Sequence, residues 1–155
     1  MLPDAELAAF SSNPEYTSRV CGVEAIPLWG LRNILGRDGA TKTTSYVDAF
    51  NRFDACVVSG GTPIYDYGHL TRSIYFGLPQ LLGKKLVCFG IGAKPIESTK
   101  GRRLIKLLLK HAGLISARDG HSRELLAKLT SRQIRLTGDS SLFMKTIDDE
   151  AALRK

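Results

Sequence analysis

A chain of 155 residues, 43% hydrophobic and 24% charged, is long enough for one domain with a packed core and too apolar for a disordered segment. Its net charge of +7 favours anionic partners, yet the basic residues are dispersed apart from "KGRRLIKLLLKH" and carry no aromatic interleaving, which argues against nucleic acid. Every apolar run breaks well short of the roughly 18 residues a membrane helix needs, and "MLPDAELAAF" lacks the pattern of a secretory signal, so no membrane span is expected.

In chain order, "ELAAFS" and "VEAIPL" read as strands joined by "SNPEYTSRVCG", whose Asn-Pro turn leaves room for a short helix. "WGLRNILG" has helical spacing, "RDGATKTT" reads as a polar loop, and "SYVDAFNRF" as a helix capped by Ser45. "DACVVSGG" is a strand running into glycines, followed by a helix from about His69 to Leu82 and a second glycine-terminated strand, "KKLVCFGIG". The next helix, "KGRRLIKLLLKHAG", is expected to line one face with Leu104, Leu107, Leu108 and Ala112 and to stop at Gly113. Strand "LISA", helix "GHSRELLAKL" and strand "IRLTG" follow, and residues 145–155 form a charged tail or the start of a linker helix. Short apolar strands alternating with longer helices predict right-handed crossovers and a Rossmann-like α/β domain over residues 1–144, a parallel sheet with helices on both faces. Three cysteines without metal or disulfide spacing (Cys21, Cys56, Cys88) point to a reducing cytoplasm and no metal.

In such sheets ligands gather beyond the carboxyl ends of the strands, which singles out four seams. Gly60, Gly61 and Thr62 end one strand, and Gly90 and Gly92 with Lys94 end the next; each seam suits either a tight turn or the approach of an anion to the backbone. There is no GxGxxG and no Walker lysine, which excludes the usual dinucleotide and P-loop sites. Asp119 fits a helix cap. Arg118 beside it offers a fixed fork either to a phosphate or carboxylate ligand or to an acid such as Asp139 at the neighbouring seam. His69, His111 and His121 form no catalytic or metal constellation by spacing, with His121 the one nearest Arg118 in sequence.

These seams resemble the polysaccharide pyruvyl transferase family. The elements that carry the resemblance are "VVSGGTPIYD", "FGIGAKPI", "ISARDGHSRELLAKL" and "IRLTGDSSLFM", together with "AAFSSNPEYT" near the start; the Arg-Asp-x-x-Ser segment is the most specific. The resemblance covers about Leu7 to Met144 and implies one lobe of a two-lobed fold like that of GT-B glycosyltransferases. It implies phosphoenolpyruvate as co-substrate, no further cofactor, and a sugar or lipid-linked glycan as acceptor, with the product a pyruvate ketal in cell-surface polysaccharide. Arg118 is then expected on the donor's anionic groups, with Gly60, Gly61, Thr62, Gly90, Gly92 and Lys94 around it and Asp119, Ser122 and Asp139 in support; the resemblance names no general acid.

The family pattern opens with a strand and a Gly-Asn-x-Gly-Asp segment and continues into a second lobe. The chain is accordingly expected to be an N-terminal lobe or truncated form, exposing apolar surface and associating with itself or with a complementing lobe. Two other functions stay open at this point, a non-catalytic anion-binding module derived from such an enzyme and a glycosyltransferase lobe.

Overall fold

The computed structural model describes residues 5–28, 37, 39–67 and 73–143. Two parallel sheets organise them. The smaller is a strand–helix–strand unit: β1 (Ala8–Ser11), α1 (Pro14–Cys21) and β2 (Glu24–Pro27), with Ala8 opposite Glu24 and Ser11 opposite Pro27. The Asn-Pro turn expected there is a helix start. The Asn13 side chain accepts from the Tyr16 N–H at 3.1 Å, and Pro14 needs no amide partner in the first turn. Gly22, in the left-handed region at φ 65°, ends the helix by donating its N–H to the Ser18 carbonyl.

Helix α2 (Gly39–Arg52) leads to the larger sheet, β3 (Ala55–Ser59), β4 (Lys85–Ile91), β5 (Leu114–Ala117) and β6 (Ile134–Leu136), in that spatial order and parallel throughout. The helix begins six residues before Ser45, which is interior and caps nothing. The threonine-rich stretch read as a loop is helical, with the Thr44 hydroxyl donating back to the Ala40 carbonyl one turn earlier. The expected helix at "WGLRNILG" falls outside the described residues, as does the tail from residue 144. Of the helix expected from about His69, the described part is a π-helical turn, Ser73–Gly77, running into the short α3 (Leu78–Leu81).

The core lies between this sheet and α4 (Thr99–Lys110) with α5 (Gly120–Ala127). Leu86, Cys88 and Ile115 meet Ile105, Leu108, Leu109 and Leu126, all nearly inaccessible. The inward face of α4 is therefore set by Ile105, Leu108 and Leu109, continued by Ala112 just past its end, whereas Leu107, expected inside, is 61% exposed. Two apolar stripes share this Leu-rich helix and only packing selects between them. On β3, Cys56 and Val58 face the core, but Ala55, Val57 and Ser59 face solvent, so the strand is covered on one side only. Burial pushes the Cys56 thiol up to about 11 and the Cys88 thiol up to about 12, which leaves both inert as nucleophiles at neutral pH.

An aromatic cluster joins the sheets. The Phe10 ring from β1 lies 5.4 Å from Tyr46 and 5.1 Å from Phe50 on α2, and 5.7 Å from Tyr75 in the π-helical turn. The Tyr46 and Tyr75 hydroxyls are 2.7 Å apart, and the Cys56 thiol on β3 donates to the Tyr75 carbonyl. At the C-terminus of α2, the Arg52 guanidinium bridges Glu24 and Glu6. Among the described residues no helix is long and apolar enough to cross a membrane.

Candidate functional site

The four seams meet at one rim. A main-chain ladder continues past the strand ends: the Gly60 N–H donates to the Phe89 carbonyl at 3.1 Å, Gly92 to Gly61 at 2.8 Å, and Arg118 to Ile91 at 3.2 Å. Between Cys88 and Ile91 the β4–β5 register slips at a bulge, and Gly90 sits there with φ 59°. A Cβ on Gly90 would stand 2.8 Å from the Gly138 carbonyl oxygen, so both the dihedral and the space require glycine. The Gly90 N–H donates to the buried Ser116 hydroxyl at 2.8 Å, which also meets the Thr137 hydroxyl at 3.0 Å.

Arg118 leaves the end of β5 toward this rim. Its Nε donates to Asp119 Oδ2 at 3.0 Å and one terminal nitrogen donates to the Gly61 carbonyl at 3.4 Å. The same terminal nitrogen lies 3.6 Å from Asp139 Oδ2. The side chain keeps 34% exposure, so the fork is oriented by its neighbours while still open to solvent. Its space exists because residue 92 has no side chain: a Cβ there would come within 2.9 Å of the guanidinium carbon. Arg118 thus bridges to Asp139, as one of its two readings expected, while its side chain stays partly open at the strand ends.

Asp119 does two jobs. Its Oδ1 caps α5 by accepting from the Ser122 N–H at 2.6 Å, and its Oδ2 orients Arg118. The Ser122 amide and hydroxyl, then Arg118, hold the Asp119 carboxyl below the usual carboxylate range; the Ser141 N–H and hydroxyl do the same for Asp139 ahead of Arg118. A lowered carboxyl stabilises the fold when ionised, so this contribution is present above the ordinary carboxylate pKa and fades as acid brings the pH through the lowered value. Ser122, 2% exposed, accepts from the Ala93 N–H at 3.0 Å and ties α5 to the loop after β4.

The Gly60, Gly90 and Gly92 amides all donate internally, so what these glycines provide is room and backbone freedom at the rim. Lys94 joins a different group. It lines an open cleft of about 510 Å³ with Thr62, Tyr65, Asp66, Tyr67, Pro95 and Glu97, and Arg118 is not part of that wall. The two loops forming it are fastened by a bridge between Ile64 and Ala93 and by the Asp66 carboxylate, which accepts from the Glu97 and Ser98 N–H groups at 3.1 Å each. Asp66, Tyr65, Tyr67 and Glu97 were not singled out in the sequence, although "TPIYDY" does show aromatics around an acid directly after the glycines. His121 lies in the first turn of α5 and His111 ends α4; His69 is outside the described residues. Among the described residues no group of His, Cys, Asp and Glu could hold a metal ion.

No curated protein and no solved structure matches the chain. A family model described as polysaccharide pyruvyl transferase matches residues 1–154, and with it the glycine seams, the Arg-Asp-x-x-Ser segment and the Asp139 seam that converge on this rim. The chain therefore belongs to the polysaccharide pyruvyl transferase family.

Proposed function

We propose that this rim holds the anionic end of phosphoenolpyruvate and that the chain serves in transfer of its pyruvyl group to a sugar diol of a cytoplasmic, envelope-directed glycan. The observation that carries the reading is the Arg118 guanidinium, oriented by Asp119 and the Gly61 carbonyl yet one-third exposed at the strand ends. In the reaction a proton adds to the methylene carbon of the enol, making C2 electrophilic. One sugar hydroxyl adds to C2 with loss of its proton, and a second displaces phosphate there to close the ketal. A fixed cation at the phosphate both positions the donor and stabilises the leaving group as its bond to C2 breaks. The electrophilic carbon has to be shielded from water while it forms, so the bound donor is covered on the side that this rim leaves open.

Two carboxylates share the single guanidinium, and this decides how the site fills. Asp139 is the looser partner at 3.6 Å, and the incoming phosphate takes its place. Calorimetric titration with phosphoenolpyruvate tests the assignment. Arg118→Ala removes a charge-assisted contact worth about 1.5–3 kcal/mol and weakens binding by about tenfold to a hundredfold. Asp139→Asn relieves the competition and tightens binding roughly twofold to fivefold. Affinity unchanged by Arg118→Ala, or weakened by Asp139→Asn, overturns the donor role of this rim.

A further inference from the structure

The cleft beside the rim carries features that donor binding does not use. Tyr67 is 80% exposed and Tyr65 39%, on a segment held from both sides: Ile64 is fully buried and accepts from the Lys94 N–H at 2.8 Å, while Asp66 is spent on the start of α4. Two aromatic rings are thus presented to solvent by a loop that packing and hydrogen bonds hold in place. Such a platform buries a large flat area at small conformational cost.

The polar groups around the rings indicate what lies on them. Among the described residues of the wall Lys94 is the one cation, set against the carboxylates of Asp66 and Glu97, a mixture that favours a neutral guest over an anionic donor. Carboxylate and ammonium groups beside exposed rings suit a neutral polyhydroxylated ring, whose hydroxyls donate to Glu97 and accept from Lys94 while its apolar C–H face lies on tyrosine. The volume of about 510 Å³ is within the usual range for small-molecule sites. Thr62, on the cleft wall, follows Gly61, whose carbonyl anchors Arg118, so a guest here is one residue away from the donor's cation.

We propose that this cleft is the pyranose-binding site for the acceptor, with Tyr67 as its stacking platform and Glu97 and Lys94 reading the hydroxyls. This rests on the pyruvyl-transfer reading, because it takes the bound sugar to be the acceptor. Saturation-transfer NMR with methyl β-D-galactopyranoside and methyl β-D-glucopyranoside as probes tests it without donor present. At least one glycoside is expected to receive saturation, strongest on the protons of one ring face. Tyr67→Ala should cut the signal by roughly two- to tenfold, Tyr67→Phe should retain it, and the Tyr67→Ala protein should still take up phosphoenolpyruvate in the calorimeter. Absence of transfer to both glycosides, transfer that survives Tyr67→Ala, or loss of glycoside and phosphoenolpyruvate together in that variant each overturns the cleft assignment. Glycoside binding in a protein that ignores phosphoenolpyruvate overturns the donor reading and leaves the sugar site standing.

Discussion

Gly92→Ala is expected to abolish most phosphoenolpyruvate binding and to destabilise the fold through one added methyl group. The new Cβ would stand 2.8 Å from the Gly61 carbonyl oxygen and 2.9 Å from both the Cζ and Nε of Arg118. The carbonyl is main chain, fastened by the Gly92 N–H itself, and cannot retreat without opening the ladder between the β3 and β4 ends. Overpacking of this kind costs about 1–3 kcal/mol, or roughly 2–4 °C of melting temperature per kcal/mol for a chain of this size. The guanidinium can move, and in moving it leaves both Asp119 and the rim. Binding should therefore fall about as far as in Arg118→Ala, although the arginine is still present. A Gly92→Ala protein that melts and binds like the parent would show that residue 92 does not set the position of Arg118.

Ser122→Ala should cost about 1–3 kcal/mol, measured by urea or thermal unfolding, for the loss of one oxygen atom. The Ser122 hydroxyl accepts from the Ala93 N–H at a position where neither residue is more than 6% exposed, and alanine leaves that donor unsatisfied out of reach of water. Ser131→Ala, on an exposed residue, provides the reference and should fall within about 0.5 kcal/mol of the parent. The asymmetry matters for the site. Asp119 caps the helix through the Ser122 amide, and the Ser122 side chain fixes the loop holding Gly92, so one residue joins the arginine's support to the glycine that makes room for it. Equal stabilities for the two variants would mean that the Ala93 amide finds another partner and that the tie is dispensable.

The alternation of apolar strands with helices was legible because short buried runs such as "CVVS" and "KLVCFGI" end in glycine, and Asn13-Pro14 and Asp119 mark helix starts by local chemistry. Position along the chain also identified Arg118 and Asp139, since strand ends collect on one edge in any parallel sheet. What could not be read depended on distance in sequence. A separation of 32 positions between Asp66 and Ser98 hides the carboxylate that fastens the cleft, and the internal use of the Gly90 amide depends on a serine 26 residues away. The start of α2 was misplaced because threonine and serine favour turns locally, whereas Tyr46 and Phe50 are drawn inward by the ring of Phe10, which belongs to another sheet.

Among the described residues the larger sheet ends at β3, which pairs with β4, and Val57 on this strand is 59% open to water. An edge strand carrying an exposed valine is a template on which another chain can lay its own backbone. Pairing of copies along this strand is the expected consequence at high concentration, so that amount of protein enters any stability measured; a melting temperature that does not change with concentration would count against it.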